Sequence, residues 1–419
     1  MDTQPELQPS APDRKAIIFV VVTVILNTMG FTLIVPVAPF LVARYVSDPA
    51  ILGATVGWLG SIYAICQFTA APGLGALSDR FGRRPILMIC LLGSALGYLL
   101  LGVGGALWVL LLGRAIDGLT GANTSILIAY IADVVPSEER GKYFGLLGAI
   151  GAISVVLGPA AGGLMAKLGY EVPFYVACAV CSLNVIFGLL FMPESLPKAK
   201  RTPSISLRQL NPIATLRDVF SLPQLRWLLV ATFFYTLATV IVPSNLGLFT
   251  KDSVAWDADT VGIMFSVFGV VTIVVQGFLL SWLRKRLSAA RVTSLGLWFT
   301  FAATLCIALV AAVGSSALVY VGIILFGVGD GLTSPALLEL VTGATDERSH
   351  GKVQGGSQSV QSLANIIGPL LAGGLYDRLG HASPYLGGAG IVVLAYIAIT
   401  FVAPTLRRIA NVNLEEPAP

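Results

Sequence analysis

The sequence predicts an all-α membrane protein with twelve transmembrane helices in two pseudo-symmetric six-helix bundles. Three observations predict this fold class: the composition, the recurrence of long apolar runs, and repetition between the two halves of the chain. Of the 419 residues, 56% are hydrophobic and 11% are charged, and the mean hydropathy is +0.84. A soluble domain carries about 25% charged residues, so most of this surface is not built to face water.

Apolar runs of 18 or more residues recur along the whole chain, and each is long enough to cross a bilayer as a helix. The period-two alternation of a barrel strand is absent, so we predict helices. The predicted spans are residues 16–40, 54–78, 85–105, 107–134, 143–166, 173–192, 225–249, 260–282, 292–313, 317–343, 353–376 and 384–405.

The longest polar stretch lies between the sixth and seventh spans and contains five prolines. It divides the chain into two sets of six spans. The predicted domains are a cytoplasmic tail at 1–15, a first bundle at 16–192, a cytoplasmic linker at 193–224, a second bundle at 225–405 and a cytoplasmic tail at 406–419.

The two halves repeat short motifs in the same order. Gly158-Pro159 recurs 210 residues later as Gly368-Pro369, and the tetrad from Asp117 to Thr120 recurs from Asp330 to Thr333. A helical half repeated in parallel is typical of transporters in which two bundles rock about a site near the membrane midplane. The alternative is a duplication in a protein that transports nothing.

The distribution of basic residues predicts the orientation. If the N-terminus is cytoplasmic, 21 of the 26 lysines and arginines lie in cytoplasmic segments. The positive-inside rule therefore predicts that both termini are cytoplasmic.

The sequence lacks the patterns that are typical of metal binding, catalysis and nucleotide binding. The five cysteines lie inside apolar spans without metal-ligand spacing, and the two histidines, His350 and His381, lie in predicted loops. There is no His-Glu-x-x-His helix and no glycine-rich phosphate loop ending in Lys-Ser/Thr. We therefore expect no metal, no cofactor, no enzymatic activity and no nucleic-acid partner.

The turn between spans two and three is rich in charge and glycine. Gly75 and Gly82 flank Asp79 and Arg80, and Arg83 and Arg84 follow. Such arginines can hold carboxylates of neighbouring helices and stabilise one conformation until the ion pairs break. The alternative is a basic loop that only sets the topology.

This turn resembles the signature loop of the major facilitator superfamily. Arg114, Asp117 and Gly118 resemble the family's Arg-x-x-polar-Gly element. The glycine-rich stretch of span five resembles the antiporter motif of its drug-exporting branches, with Ser154 where that pattern has a further glycine. The motif and hinge residues are Gly145, Gly158, Pro159, Gly162 and Gly163 in span five, and Gly368 and Pro369 in span eleven.

Across nearly the whole chain the sequence is most similar to bacterial tetracycline-efflux proteins. Gln67 to Pro85, Tyr130 to Asp133 and Pro193 to Ser195 carry this resemblance. Those exporters have an aspartate where this chain has Asn27, and an acid in span nine that is absent here. Proton coupling must then use other carboxylates.

The resemblance implies a monomeric, multi-pass protein of the inner cell membrane that exports small amphipathic, drug-like molecules by proton antiport through alternating access. Its expected partners are the substrate, protons and membrane lipid. The alternative is a lipid or metabolite transporter of the same fold, and tetracycline is one candidate substrate.

Two carboxylates are predicted near the membrane midplane, where an ionisable group is costly and needs a functional reason. Asp117 and Asp330 occupy the repeated tetrads, which predicts that both face one central cavity and exchange protons or bind a cationic group. The alternative for Asp117 is a structural pair with Arg114. The resemblance also implies a role for Arg114 in proton transfer.

Other residues have weaker signals. Glu339 is predicted to be a second proton site or an interhelical hydrogen-bonding group. The resemblance implies that Asp133 pairs with Arg83 as a gate latch, and the alternative is a solvated charge at a helix end. The possible cavity-lining residues, which otherwise only pack or bond between helices, are Asn27, Gln67, Asn123, Phe234 and Tyr235.

Overall fold

The computed structural model describes residues 14–136, 139–203, 223–344 and 350–415, which are almost entirely helical. The first half contains α1 (Arg14–Ile34), α2 (Ala38–Val42), α3 (Leu52–Phe81), α4 (Arg83–Val103), α5 (Leu107–Leu119), α6 (Asn123–Val134), α7 (Arg140–Met165) and α8 (Val172–Phe191). The second half contains α9 (Pro223–Ser244), α10 (Leu246–Val254), α11 (Ala258–Val274), α12 (Leu280–Arg284), α13 (Ala289–Val313), α14 (Ser316–Gly343), α15 (His350–Leu379) and α16 (Ser383–Glu415).

The helices occupy all twelve predicted ranges, and the all-α fold is confirmed. Within the described residues, ten helical segments are long and apolar enough to cross a membrane. The fourth span lacks a single long helix because it is divided into α5 and α6. The eleventh, α15, has 30 residues but is rich in glycine, serine and glutamine. The count of twelve crossings therefore stays a prediction.

Helix α4 shows why these sequences form membrane helices. Its buried residues recur every three or four positions and pack against α5 and α8. Its other face exposes large apolar side chains, which suits a helix with lipid on that side. These exposed residues are Ile89, Leu92, Leu96, Leu99 and Val103.

Span four is broken just after its Asp-Gly-Leu-Thr tetrad. The Thr120 hydroxyl donates to the Ile116 carbonyl at 2.9 Å. The Gly121 N–H bonds to the carbonyl of Gly118, three residues back. The Gly121 carbonyl accepts a 2.9 Å hydrogen bond from the Gln67 side chain on α3. In a continuous α-helix this carbonyl would accept a hydrogen bond from a backbone N–H of the same helix. Here it is bonded to a side chain of a neighbouring helix.

The repeated tetrad behaves differently in the second half. Asp330 to Thr333 lie inside α14, which runs unbroken for 28 residues. The same four residues therefore do not break a helix by themselves. The first tetrad is followed by Gly121, whose carbonyl is bonded to Gln67, and the second is followed by Ser334.

Some predicted boundaries change. Helix α16 continues to Glu415, past the predicted end at 405, and His350 begins α15 instead of lying in a loop. Residues 1–13, 204–222 and 416–419 of the predicted tails and linker lie outside the described residues.

Candidate functional site

The two halves meet through backbone at one end of the bundle. We call the end with the α3–α4 turn at Gly82 the basic end, and the other the opposite end. Near the opposite end, a β-carbon added at Gly57 of α3 would overlap the carbonyl of Pro369 on α15. A β-carbon at Gly262 of α11 would overlap the carbonyl of Pro159 on α7. Glycine is required at both positions because the partner backbone takes the space of a side chain.

Two hydrogen bonds repeat this pseudo-symmetry. The Ser61 hydroxyl donates to the Ile366 carbonyl at 2.7 Å, and the Ser266 hydroxyl donates to the Val156 carbonyl at 2.6 Å. Both serines lie in a Thr-Val-Gly-x-x-x-Ser motif that starts at Thr55 and recurs 205 residues later. This repeat is not among those predicted above, although the motif can be read directly from the sequence.

The same interface carries two polar contacts with different chemistry. The Asp377 carboxylate accepts hydrogen bonds from the backbone N–H of Gly53 at 2.9 Å and of Ala54 at 2.7 Å, at the N-terminus of α3. At the equivalent place in the other pair of helices, the Lys167 ammonium lies 2.9 Å from the Asp259 carboxylate, in the first turn of α11. Both contacts connect one half to the other.

Toward the basic end, helix α7 has open space beside its glycines. Among the described residues, no heavy atom beyond the local helix backbone lies within 4 Å of a β-carbon placed at any of four α7 glycines, Gly141, Gly145, Gly148 and Gly151. Gly145 of the predicted motif therefore borders open space, whereas Gly158 and Gly162 pack on Thr32 and Leu33 of α1, and Gly163 packs on α11. The halves are therefore in contact near the opposite end, and the α7 glycines toward the basic end border open space.

A cavity of about 500 Å³ lies between the halves. Its wall includes Tyr63, Arg114 and Asp117 from the first half, and Asn365 and Pro369 from the second. Most of its polar groups come from the first half.

Asp117 and Arg114 form the charged part of this wall. Arg114 Nη1 lies 3.3 Å from Asp117 Oδ2, and the residues are 7% and 2% exposed. The Arg114 guanidinium also donates to the Leu59 carbonyl at 3.3 Å and lies 4.5 Å from the centroid of the Tyr63 ring. Buried charges persist when they are paired and hydrogen-bonded in this way. Asp117 is therefore both paired with Arg114 and part of the cavity wall.

Three predicted polar residues lie in the same wall. The Asn123 amide donates to the Asn27 side-chain oxygen at 3.3 Å, joining α6 to α1. The Gln67 amide donates to the Tyr63 hydroxyl at 3.1 Å. All three line the cavity, and Asn27 contributes a neutral hydrogen-bonding group to its wall.

Asp330 does not face this cavity, so the expectation that Asp117 and Asp330 share one cavity is wrong for this conformation. Asp330 lines a separate cavity of about 230 Å³ within the second half. Its Oδ1 accepts a 2.5 Å hydrogen bond from the Tyr235 hydroxyl. Tyr235 also lines a third cavity, of about 400 Å³.

Two further predictions change. Glu339 forms an ion pair with Arg284 at the end of α12, and its side chain is 51% exposed. It is thus an interhelical hydrogen-bonding group rather than a residue of a described cavity. Phe234 packs edge-on against Phe233, with ring centroids 5.5 Å apart, and none of the three cavities described above includes it.

The α3–α4 turn holds the predicted ion pairs. Arg83 Nε lies 3.1 Å from Asp133 Oδ2 on α6, and Arg83 also contacts Asp79. The ring of Phe81 lies below the Arg80 guanidinium, 5.4 Å from it, and Arg84 donates to the Leu189 carbonyl on α8. Gly75 has open space beside it.

Glu194 completes this turn and was not predicted as a site residue. Its carboxylate accepts hydrogen bonds from the backbone N–H of Arg83 at 2.8 Å and of Arg84 at 3.3 Å, which caps α4. Gly82 has φ +108°, and a β-carbon there would overlap the Glu194 carboxylate. The only earlier signal was its place in the Pro193-Glu194-Ser195 motif.

We expect Glu194→Gln to destabilise the protein by about 1 kcal/mol, because a neutral amide is a weaker partner for the first N–H groups of α4. The measurement is the melting temperature of the purified protein. Glu139→Gln is the matched control, since Glu139 precedes α7 without a capping hydrogen bond. Equal melting temperatures for both variants would contradict the cap.

Comparison with known proteins identifies the relatives of this chain. The family model described as Major Facilitator Superfamily matches residues 20–369. The chain is 33% identical over 395 residues to the class C tetracycline resistance protein of Escherichia coli, covering 94% of this chain and 97% of that protein. It is 26% identical to the quinolone resistance protein NorA of Staphylococcus aureus (strain MSSA476), covering 91% and 96%. The crystal structure of the human organic anion transporter MFSD10 has a TM-score of 0.69 and 25% identity, covering 93% of this chain and all of that one.

Proposed function

Because the chain belongs to the Major Facilitator Superfamily, we propose that it is a secondary active transporter that exports small amphipathic, drug-like molecules in exchange for protons. Its tetracycline and quinolone resistance relatives support drug export. Family membership indicates transport rather than catalysis, and we propose that the protein is not an enzyme and needs no cofactor. We further propose that it works as a monomer in contact with membrane lipid.

The observation that carries the proposal is the buried Arg114–Asp117 pair in the wall of the cavity between the halves. Burying a carboxylate within a membrane-spanning bundle costs free energy, so such a residue is usually retained for a function. Proton binding to Asp117 would leave Arg114 without its counterion, so protonation and the local structure are linked. This linkage is what exchange of a proton for a substrate requires.

The contacts at the two ends of the bundle support alternating access. The halves touch through Gly57 and Gly262 at the opposite end, whereas the α7 glycines toward the basic end have open space beside them. Separating the first contacts while closing the basic end would expose the cavity to the other side. We propose that the Arg83–Asp133 ion pair is part of the latch that changes in this step. Gly158-Pro159 and Gly368-Pro369 would serve as packing and hinge elements.

The protein is a multi-pass membrane protein, and we propose that it lies in the inner membrane with both termini in the cytoplasm. The 21 basic residues in segments predicted to be cytoplasmic support this orientation. The basic end is then cytoplasmic, and we propose that this conformation opens toward the cytoplasm. We also propose the two bundles at 16–192 and 225–405, joined by the 193–224 linker, as the moving units.

Everted membrane vesicles with an acidified interior test proton exchange. We expect tetracycline or norfloxacin to release protons from vesicles that contain the protein, with no release from vesicles that lack it. Collapsing the pH gradient should stop accumulation of the same drug. Drug accumulation that does not respond to the pH gradient would contradict proton antiport.

A further inference from the structure

An apolar groove lies on the lateral surface of the second half, between α13 and α16. Its wall contains only apolar and aromatic residues, among them Trp298 and Phe301 on α13 and Val393 and Tyr396 on α16. The Trp298 ring centroid lies 5.6 Å from that of Phe301 and 5.4 Å from that of Tyr396. Trp298 is 53% exposed and Val393 is 37% exposed, so the groove faces the surroundings of the protein.

Both helices of the groove are long and apolar enough to cross a membrane, over Ala289–Val313 and Ser383–Phe401. The groove is therefore covered by a component of the membrane. Its volume of about 270 Å³ is below the range of about 300–1,000 Å³ that is typical of pockets for drug-sized ligands. A narrow apolar groove of this size fits a segment of an acyl chain, which packs against the aromatic rings by van der Waals contact.

Two arginines flank the groove toward the basic end. Arg291 is exposed and lies seven residues before Trp298 on α13, about 10 Å along the helix axis. Arg226 is exposed on α9 and precedes Trp227, whose ring stacks on that of Phe401 with centroids 5.4 Å apart. Phe401 lies about one turn beyond the groove on α16. The two guanidinium groups are thus on either side of α16 at the same end of the groove.

Neither arginine has an acidic partner among the described residues, where the ion pairs are formed by other groups. Arg284, at the end of α12, shows the contrast, because its guanidinium is paired with Glu339. The proposed orientation makes the basic end cytoplasmic. Basic groups between helices on the cytoplasmic side of a membrane protein bind the headgroups of acidic phospholipids.

We propose that the groove between α13 and α16 binds one acidic phospholipid, with an acyl chain against Trp298 and Tyr396 and the phosphate near Arg226 and Arg291. The acidic headgroup compensates the positive charge that the described part of the chain leaves unpaired. A zwitterionic headgroup carries a cationic group beside its phosphate and compensates less of that charge, so it binds more weakly. The site lies on the surface of the second half and is independent of the direction of transport.

Native mass spectrometry of the full chain measures which lipids stay bound. The protein is purified in an equimolar mixture of phosphatidylglycerol and phosphatidylcholine with the same acyl chains. We expect the wild type to retain about tenfold more phosphatidylglycerol than phosphatidylcholine. Arg226→Gln and Arg291→Gln should each lower this preference about threefold, because each basic group near the membrane surface adds to the attraction of acidic lipid. Val393→Phe should lower retention of phosphatidylglycerol about threefold or more, because the larger side chain fills the groove.

Two matched controls localise the effect. Arg378→Gln removes an exposed positive charge in the last turn of α15, at the opposite end. Val321→Phe enlarges an exposed valine of α14, outside the groove. Neither should change lipid retention. Equal retention of the two lipids by the wild type would overturn the site, as would arginine variants or Val393→Phe that behave like their controls. A dimer that Val393→Phe disrupts would assign the groove to a second copy of the chain and overturn the lipid site as well.

Discussion

Replacing Asp117 with asparagine is expected to abolish proton-driven drug transport. Asparagine keeps the size of the side chain but neither ionises nor exchanges a proton. Arg114 would then be buried without its counterion, which costs about 3–5 kcal/mol. We expect drug-induced proton release in everted vesicles to fall about tenfold or more, with a lower melting temperature of the purified protein.

The double variant Arg114→Gln with Asp117→Asn separates stability from coupling. Removing both charges removes the unpaired arginine, so part of the lost stability should return. Proton release should not return, because the exchanging group is still missing. Asp257→Asn is the matched control, since Asp257 is an exposed acid at the start of α11 without a capping hydrogen bond. Proton exchange at the wild-type rate in Asp117→Asn would show that the proton uses another residue.

Gly373→Leu is expected to stop transport by preventing closure of the opposite end. A β-carbon at Gly373 would overlap the carbonyl of Gly53 on α3. The neighbouring Gly374 has no heavy atom within 4 Å of the equivalent position. Since backbone cannot yield as a flexible side chain does, a leucine at Gly373 must push α15 away from α3. Drug transport should fall about tenfold or more in Gly373→Leu and stay near the wild-type rate in Gly374→Leu.

Chemical labelling measures whether the central cavity stays open to the outside in Gly373→Leu. A cysteine replaces Ala64, which lies in the wall of the central cavity and is 7% exposed, in a chain without its five native cysteines. A membrane-impermeant maleimide added outside intact cells should label this cysteine faster in Gly373→Leu than in Gly374→Leu. Equal labelling rates would contradict a role of Gly373 in closing the outer side.

The sequence by itself determined the fold class and the family. Hydrophobicity over about 20 residues reports the cost of placing a helix in lipid, so helices occupy all twelve predicted ranges. Charge in the short loops predicted an orientation, and local motifs predicted the Arg114–Asp117 and Arg83–Asp133 pairs. These features depend on composition, helix periodicity or a matching family motif, which can be read along one chain.

Only the tertiary structure decided which faces meet. Identical tetrads precede a helix break at Gly121 and an unbroken stretch of α14, and the Gly121 carbonyl is bonded to Gln67 of another helix. The structure also places Asp330 and Asp117 in different cavities and shows that Glu194 caps α4. Such contacts join residues from distant parts of the sequence, and their energies depend on helix rotation and spacing. A repeated sequence pattern can propose equivalent positions, but their neighbours decide whether they have equivalent roles.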